Sequence, residues 1–146
     1  MTPSFYLRLD ALCTFAATLL LAGCSREPSY VPVSGTITEA QRPLGGGTVS
    51  LRPDVEKGNK LFHHPTGMID PQGRYTLFTN EREGAPAGWY KVVVFSNERT
   101  EEKGKSHPGM PKSLISTRYN QVQTTPLAVE VKPDAPPGSY DFDLQK

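Results

Sequence analysis

The chain has 146 residues, with 16 Lys and Arg against 15 Asp and Glu and a formal charge of +1. That length suits one domain, and the balance of charge excludes a nucleic-acid binder held by a basic face. Two cysteines exclude a disulfide framework, and no apolar run reaches the roughly 18–20 residues that a membrane-crossing helix needs.

The first element in chain order is an export signal. Residues 11–22, ALCTFAATLLLA, carry no charge; Arg8 precedes them, and Gly23, Cys24 and the polar Ser25, Arg26 and Glu27 follow. A run this short fits the apolar centre of a signal peptide better than a membrane span, although Asp10 offsets Arg8 and leaves the start only weakly basic. Leu21-Ala22-Gly23-Cys24 resembles the bacterial lipobox, an aliphatic residue and two small ones before an obligatory cysteine. The resemblance implies that the Cys24 thiol receives diacylglycerol and that cleavage makes Cys24 the first mature residue. Membrane lipid is then a partner, because two or more acyl chains anchor a protein stably. The alternative is an ordinary secretory signal with a chance cysteine. In the sorting rule of enteric bacteria, Ser25 after the acylated cysteine implies delivery to the outer membrane.

Residues 1–23 are therefore expected to be a signal peptide, 24–29 a lipid-anchored tether and 30–146 the domain. Cys13 leaves with the signal and Cys24 is acylated, so cysteine catalysis and cysteine-based zinc sites are excluded on this reading. Of the 123 mature residues, 24 are Leu, Ile, Val or Phe, close to the 20% line below which disorder becomes plausible. Their placement argues for strands instead: short, Val-rich clusters separated by Gly and Pro, with no helical stripe.

Val31, Val33, Gly35 and Ile37 alternate with polar residues in a first strand, and residues 39–42 turn it. Three glycines, 45–47, lead into a second strand with Val49 and Leu51; they suggest a bulge or close backbone approach. Asp70-Pro71-Gln72-Gly73 carries the preferences of a type I turn. It predicts a hairpin of residues 66–69 with 74–79, Tyr75 and Leu77 sharing a face. Residues 84–88 turn into 89–95, apolar on both faces toward its end and hence a central strand. Leu127, Val129 and Val131 mark a sixth strand; Tyr140, Phe142 and Leu144 mark a last one. Seven short alternating strands in this length predict an all-β β-sandwich.

The order of these motifs resembles carboxypeptidase regulatory-like (transthyretin-like, prealbumin-like) domains of bacterial lipoproteins. The carrying segments are VPVSGTIT from Val31, PLGGGTVS from Pro43, IDPQGRYTL from Ile69, AGWYKVVV from Ala87 and the ending TPLAVEV and YDFDL. The resemblance covers residues 30–146 and implies a seven-stranded, prealbumin-like Greek-key sandwich on a lipid anchor, a module that is usually non-catalytic. Two departures concern loops: Gln41-Arg42 stands where a Gly is usual, and Ser116 where a Pro is typical.

Candidate chemistry is sparse. His63 and His64 share one loop and His107 lies in another, without the spacing of a metal site. Asp141 and Asp143 share one strand face; they read as a solvent face, with a calcium site as the sharper alternative. Trp89, Tyr90 and Tyr75 read as core, with stacking on a sugar as the alternative. Residues 96–121 form a long connection, opening with a mixed-charge run that reads as a solvated crossover; Leu114, Ile115 and Tyr119 are expected to pin its far end. No catalytic or metal residue and no cofactor is expected. The reading is an exported lipoprotein of the cell envelope whose partners are membrane lipid through Cys24 and an envelope protein or glycan. Its alternatives are a carbohydrate-binding or adhesion module and a small metal-binding protein or hydrolase.

Overall fold

The computed structural model describes residues 29–98 and 112–146. Cys24, the lipobox, His107 and most of the mixed-charge run lie outside them.

The alternating Val-rich segments form strands, as period-two patterning dictates. Val31 and Val33 are buried, but Pro32, which has no N–H to donate, divides the expected first strand into β1 (Tyr30–Val31) and β2 (Ser34–Glu39). A two-residue turn at Ala40 and Gln41 leads to β3 (Arg42–Pro43), and β4 (Gly47–Pro53) follows the glycine triplet. A 3₁₀ turn, Val55–Lys57, comes next, then β5 (Thr66–Ile69) and β6 (Arg74–Thr76). Two short strands, β7 (Phe78–Thr79) and β8 (Arg82–Glu83), precede β9 (Ala85–Pro86) and the long β10 (Gly88–Phe95). A second 3₁₀ turn, Thr117–Asn120, β11 (Ala128–Val131) and β12 (Phe142–Leu144) complete the described residues. The chain is all-β.

Three sheets share one core. The largest has the order β11-β10-β4-β5-β7-β8, so β10 is central, as its apolar run predicts. In the second, β2 pairs parallel with β12 and antiparallel with β3 and β6; in the third, β1 pairs with β9. Val49, Leu51, Val92, Val94 and Val131 of the large sheet join Ile37, Tyr75 and Leu144 of the second in a single buried cluster, to which β1 and β9 add Val31 and Ala85. Tyr90 and Tyr119 also belong to it.

The predicted hairpin is corrected. Its turn forms: the Gly73 N–H donates to the Asp70 carbonyl at 2.9 Å, and the Asp70 carboxylate accepts from the Gln72 and Arg74 N–H groups. Beyond the turn, however, β6 pairs with β2 in the second sheet, and only β7 returns to β5, through Thr66 and Phe78. The strand changes sheets at Leu77, which is fully buried between them and whose N–H donates to the Val33 carbonyl. The expected turn at 84–88 is likewise more than a turn, since β9 pairs with β1 inside it.

Gly47 carries the close approach that the triplet suggests. A Cβ there would lie 2.2 Å from the Phe95 carbonyl oxygen, and its φ is +139°. Asp141 and Asp143 are exposed, as expected of a solvent face, and they also tether the last strand to β2. Asp141 accepts from the Thr36 N–H at 2.7 Å and its hydroxyl at 2.9 Å; Asp143 accepts from the Thr38 hydroxyl at 2.6 Å and the Gln41 N–H at 3.0 Å. Tyr75 adds a third, its hydroxyl donating to the Tyr140 carbonyl at 2.6 Å.

The long connection after β10 is not irregular throughout. Asn97 pairs with Ser113 across its base, the Glu98 N–H donates to the Lys112 carbonyl, and Thr117–Asn120 is a 3₁₀ turn. Ile115 and Tyr119 pin it to the core as expected; Leu114 does not, being 52% exposed.

Candidate functional site

The strongest candidate is a cleft of about 550 Å³ at the end of the large sheet where β10 begins. Its walls come from Ser29, from the loop after β4 and from residues 86–89. The loop is built from its own backbone. The Asp54 carbonyl accepts from the Lys57 and Asn59 N–H groups at 3.1 and 3.0 Å, and Gly58 closes the turn in the left-handed region at φ +84°.

Asn59 then locks this loop to the strand. It is buried, its Nδ2 donates to the Trp89 carbonyl at 2.8 Å, and its Oδ1 accepts from the Leu61 N–H at 3.1 Å. Gly88 makes room for it, since a Cβ there would meet Asn59 Nδ2 at 3.0 Å. The lock places the exposed Lys57 over the half-buried Trp89, with Nζ 3.6 Å from the ring centroid. Such a contact is worth about 0.5–1 kcal/mol at an exposed site. Behind it, Tyr90 is fully buried and its hydroxyl donates to the Pro86 carbonyl at 2.8 Å; burial pushes its pKa up.

Sequence reasoning read Trp89 as core, whereas it is half-buried at the cleft and outside the core cluster, and it missed Lys57 and Asn59. The signal available to it was Gly58-Asn59, a turn pair between the second strand and the histidine loop. Next to the cleft, Phe62 is 94% exposed and Val55 66% exposed. Across β11, Glu130 stands opposite Trp89 and pairs with Lys132 at 3.9 Å. Asp54 is 3% exposed with an unpartnered Oδ2, and it lines a second, smaller cleft with Glu56 and Lys91.

The other candidates fall elsewhere. His63 and His64 lie in the loop between β4 and β5, and the His64 pKa is lowered by burial first, then by the positive charges of Arg52 and His63. Among the described residues, no three His, Cys, Asp or Glu side chains come together to hold a metal ion. Asp143 has its pKa lowered by the Thr38 hydroxyl first and the Gln41 N–H second. Tyr75 is buried in the core as expected, and burial raises its pKa. A polar cleft beside β6 holds Asp70 and Arg74, which pair with each other at 2.9 Å.

No protein-family model, curated protein or solved structure matches this chain. Function therefore rests on its own residues. The Trp89 cleft offers the ammonium groups of Lys57 and Lys60, an aromatic ring and a rim of exposed apolar side chains. That set suits recognition of an anionic, partly apolar ligand; it supplies no nucleophile paired with a base.

Proposed function

We propose that this protein is an exported, acylated lipoprotein of the cell envelope whose domain serves as a non-catalytic binding or structural module. The observation that carries the reading is Leu21-Ala22-Gly23-Cys24 at the end of a twelve-residue uncharged run, followed at once by polar residues. The domain is read as a seven-stranded Greek-key sandwich of the carboxypeptidase regulatory-like type. Its support is that each of the seven segments expected as strands is extended, the first and the fourth as two short strands each, and that buried residues from the sheets join in one cluster. The site of binding is the Trp89 cleft.

Labelling cells with a fatty-acid probe tests the anchor. The wild-type chain takes the label and fractionates with membranes, whereas Cys24→Ala does neither. A Cys24→Ala chain that still labels and still sediments with membranes overturns the reading. The carbohydrate-binding alternative keeps Trp89 as its stacking residue, but the Lys57 ammonium already covers one face of that ring. Loss of binding by Trp89→Ala on a glycan array would favour it.

A further inference from the structure

We infer that the Trp89 end of the domain faces the membrane and rests on an anionic bilayer surface, with Lys57 and Lys60 meeting lipid phosphates and Phe62 at headgroup depth. The inference rests on the acylation of Cys24 proposed above, and adds to it an orientation and a lipid chemistry.

Chain length sets the orientation. Ser29 lines the cleft, and Cys24 stands five residues before it. Five fully extended residues span at most about 18 Å, so the acylated cysteine lies within that reach of the cleft. The base of the crossover is at the opposite end. The eight residues of β10 rise about 23 Å, from Gly88 beside the cleft to Phe95, next to the pairing of Asn97 with Ser113.

The surface at the near end matches a bilayer headgroup region. Lys57 and Lys60 are exposed and line the cleft, and Phe62 follows the cleft residue Leu61. A phenyl ring 94% exposed gains by leaving water, and aromatic rings and lysines are the side chains that anchor at the headgroup level. The neighbouring carboxylates offset the lysines only in part: Glu130 is paired with Lys132, Asp54 is buried, and the exposed Glu56 shares the second cleft with Lys91. Phosphates of anionic lipid are the complementary charge at that depth.

The test uses the full acylated chain in phosphatidylcholine vesicles with and without phosphatidylglycerol. The chain has one Trp, so its emission reports Trp89 alone. The expected result is a loss of Trp89 emission to a spin label on the lipid headgroup, greater than the loss to a label deep in the acyl tail, and dependent on phosphatidylglycerol. Lys57→Gln and Lys60→Gln each lower the ratio of docked to undocked domain about fivefold. Both residues are exposed, so the variants fold, and Phe62→Ser lowers the ratio by removing the apolar contact alone. If the chain floats with vesicles but the headgroup label leaves Trp89 bright, docking is overturned and acylation stands. Equal quenching in vesicles lacking phosphatidylglycerol, or in the double lysine variant, also overturns it. If the wild-type chain does not float, or Cys24→Ala floats equally well in neutral vesicles, acylation itself fails.

Discussion

Three consecutive glycines at 45–47 look identical in the sequence, and the structure ranks them. Gly45 is exposed, has no atom within 4 Å of where a Cβ would stand, and is not among the glycines with positive φ. Alanine there removes freedom from the unfolded chain only, which stabilises by roughly 0.4–1 kcal/mol. Gly46 has equally open space but a φ of +149°, so alanine meets backbone strain of about 1–3 kcal/mol. Gly47 combines φ +139° with a Cβ that would stand 2.2 Å from the Phe95 carbonyl oxygen and 3.2 Å from its carbon. Both obstacles are backbone, so relief requires β4 and β10 to part at the pair of Thr48 with Phe95. That adds one or two ladder hydrogen bonds, about 1 kcal/mol each, to the strain, for a total of about 2–5 kcal/mol. Equilibrium urea unfolding followed by Trp89 emission reads all three variants. The expected order of stability is Gly45→Ala at or above wild type, then Gly46→Ala, then Gly47→Ala. A Gly47→Ala chain within 1 kcal/mol of wild type, or a Gly45→Ala chain as unstable as Gly47→Ala, would refute the reasoning.

Ala40 and Gln41 occupy the two-residue turn between β2 and β3 with φ of 49° and 65°. Replacing them by Asn-Gly should stabilise the chain by about 1 kcal/mol in urea unfolding, since that pair accepts positive φ at both positions. Asn59→Ala removes the lock on the cleft: the Leu61 N–H loses its acceptor, and the Trp89 carbonyl keeps only the Asp54 N–H as a donor. A cost of about 1–3 kcal/mol follows, with a shift in Trp89 emission as Lys57 loses its fixed seat over the ring. The pH dependence follows from Asp143 and Asp70. Both are held below the ordinary carboxylate value of 3.8, Asp143 by the Thr38 hydroxyl first and Asp70 by the Arg74 N–H first. Stability from a depressed carboxylate is present above that value and is lost as pH falls through the folded-state pKa. Asp143→Asn should therefore unfold at lower urea than wild type at neutral pH, with the gap narrowing below about pH 4. An unchanged gap at pH 2–3 would place the effect of Asp143 outside its ionisation.

What the sequence made legible was whatever depends on local alternation. β10 reads as central because Val92, Val93, Val94 and Phe95 leave it no polar face at its end, and β11 reads as a strand because Val129 and Val131 are spaced by two. Pairing partners are another matter. Tyr75 and Leu77 share a face in any strand, and nothing local says that the first belongs beside Gly35 while Phe78 belongs beside Thr66. Asp141 and Asp143 read correctly as a solvent face, but their role as tethers was hidden because their donors, on Thr36 and Thr38, lie 105 residues earlier. The cleft was half legible. Trp89 stood out as the chain's single tryptophan, but Asn59 reaches it from 30 residues away through a turn with no apolar pattern of its own.

The parallel pairing of β2 with β12 also sets a timetable. β2 is one of the earliest strands to emerge, yet one edge of it stays unpaired until residues 142–144 are available. Contacts of such long sequence separation form slowly, because the chain between them must first be ordered. Until then Ile37 and its neighbours present an open strand edge, the feature most prone to pair with other chains. A chain exported unfolded, amino terminus first, would cross the membrane with its first sheet incomplete. Its folding would close from the far end back to the near one, and the Thr36 and Thr38 tethers would be among the last contacts made.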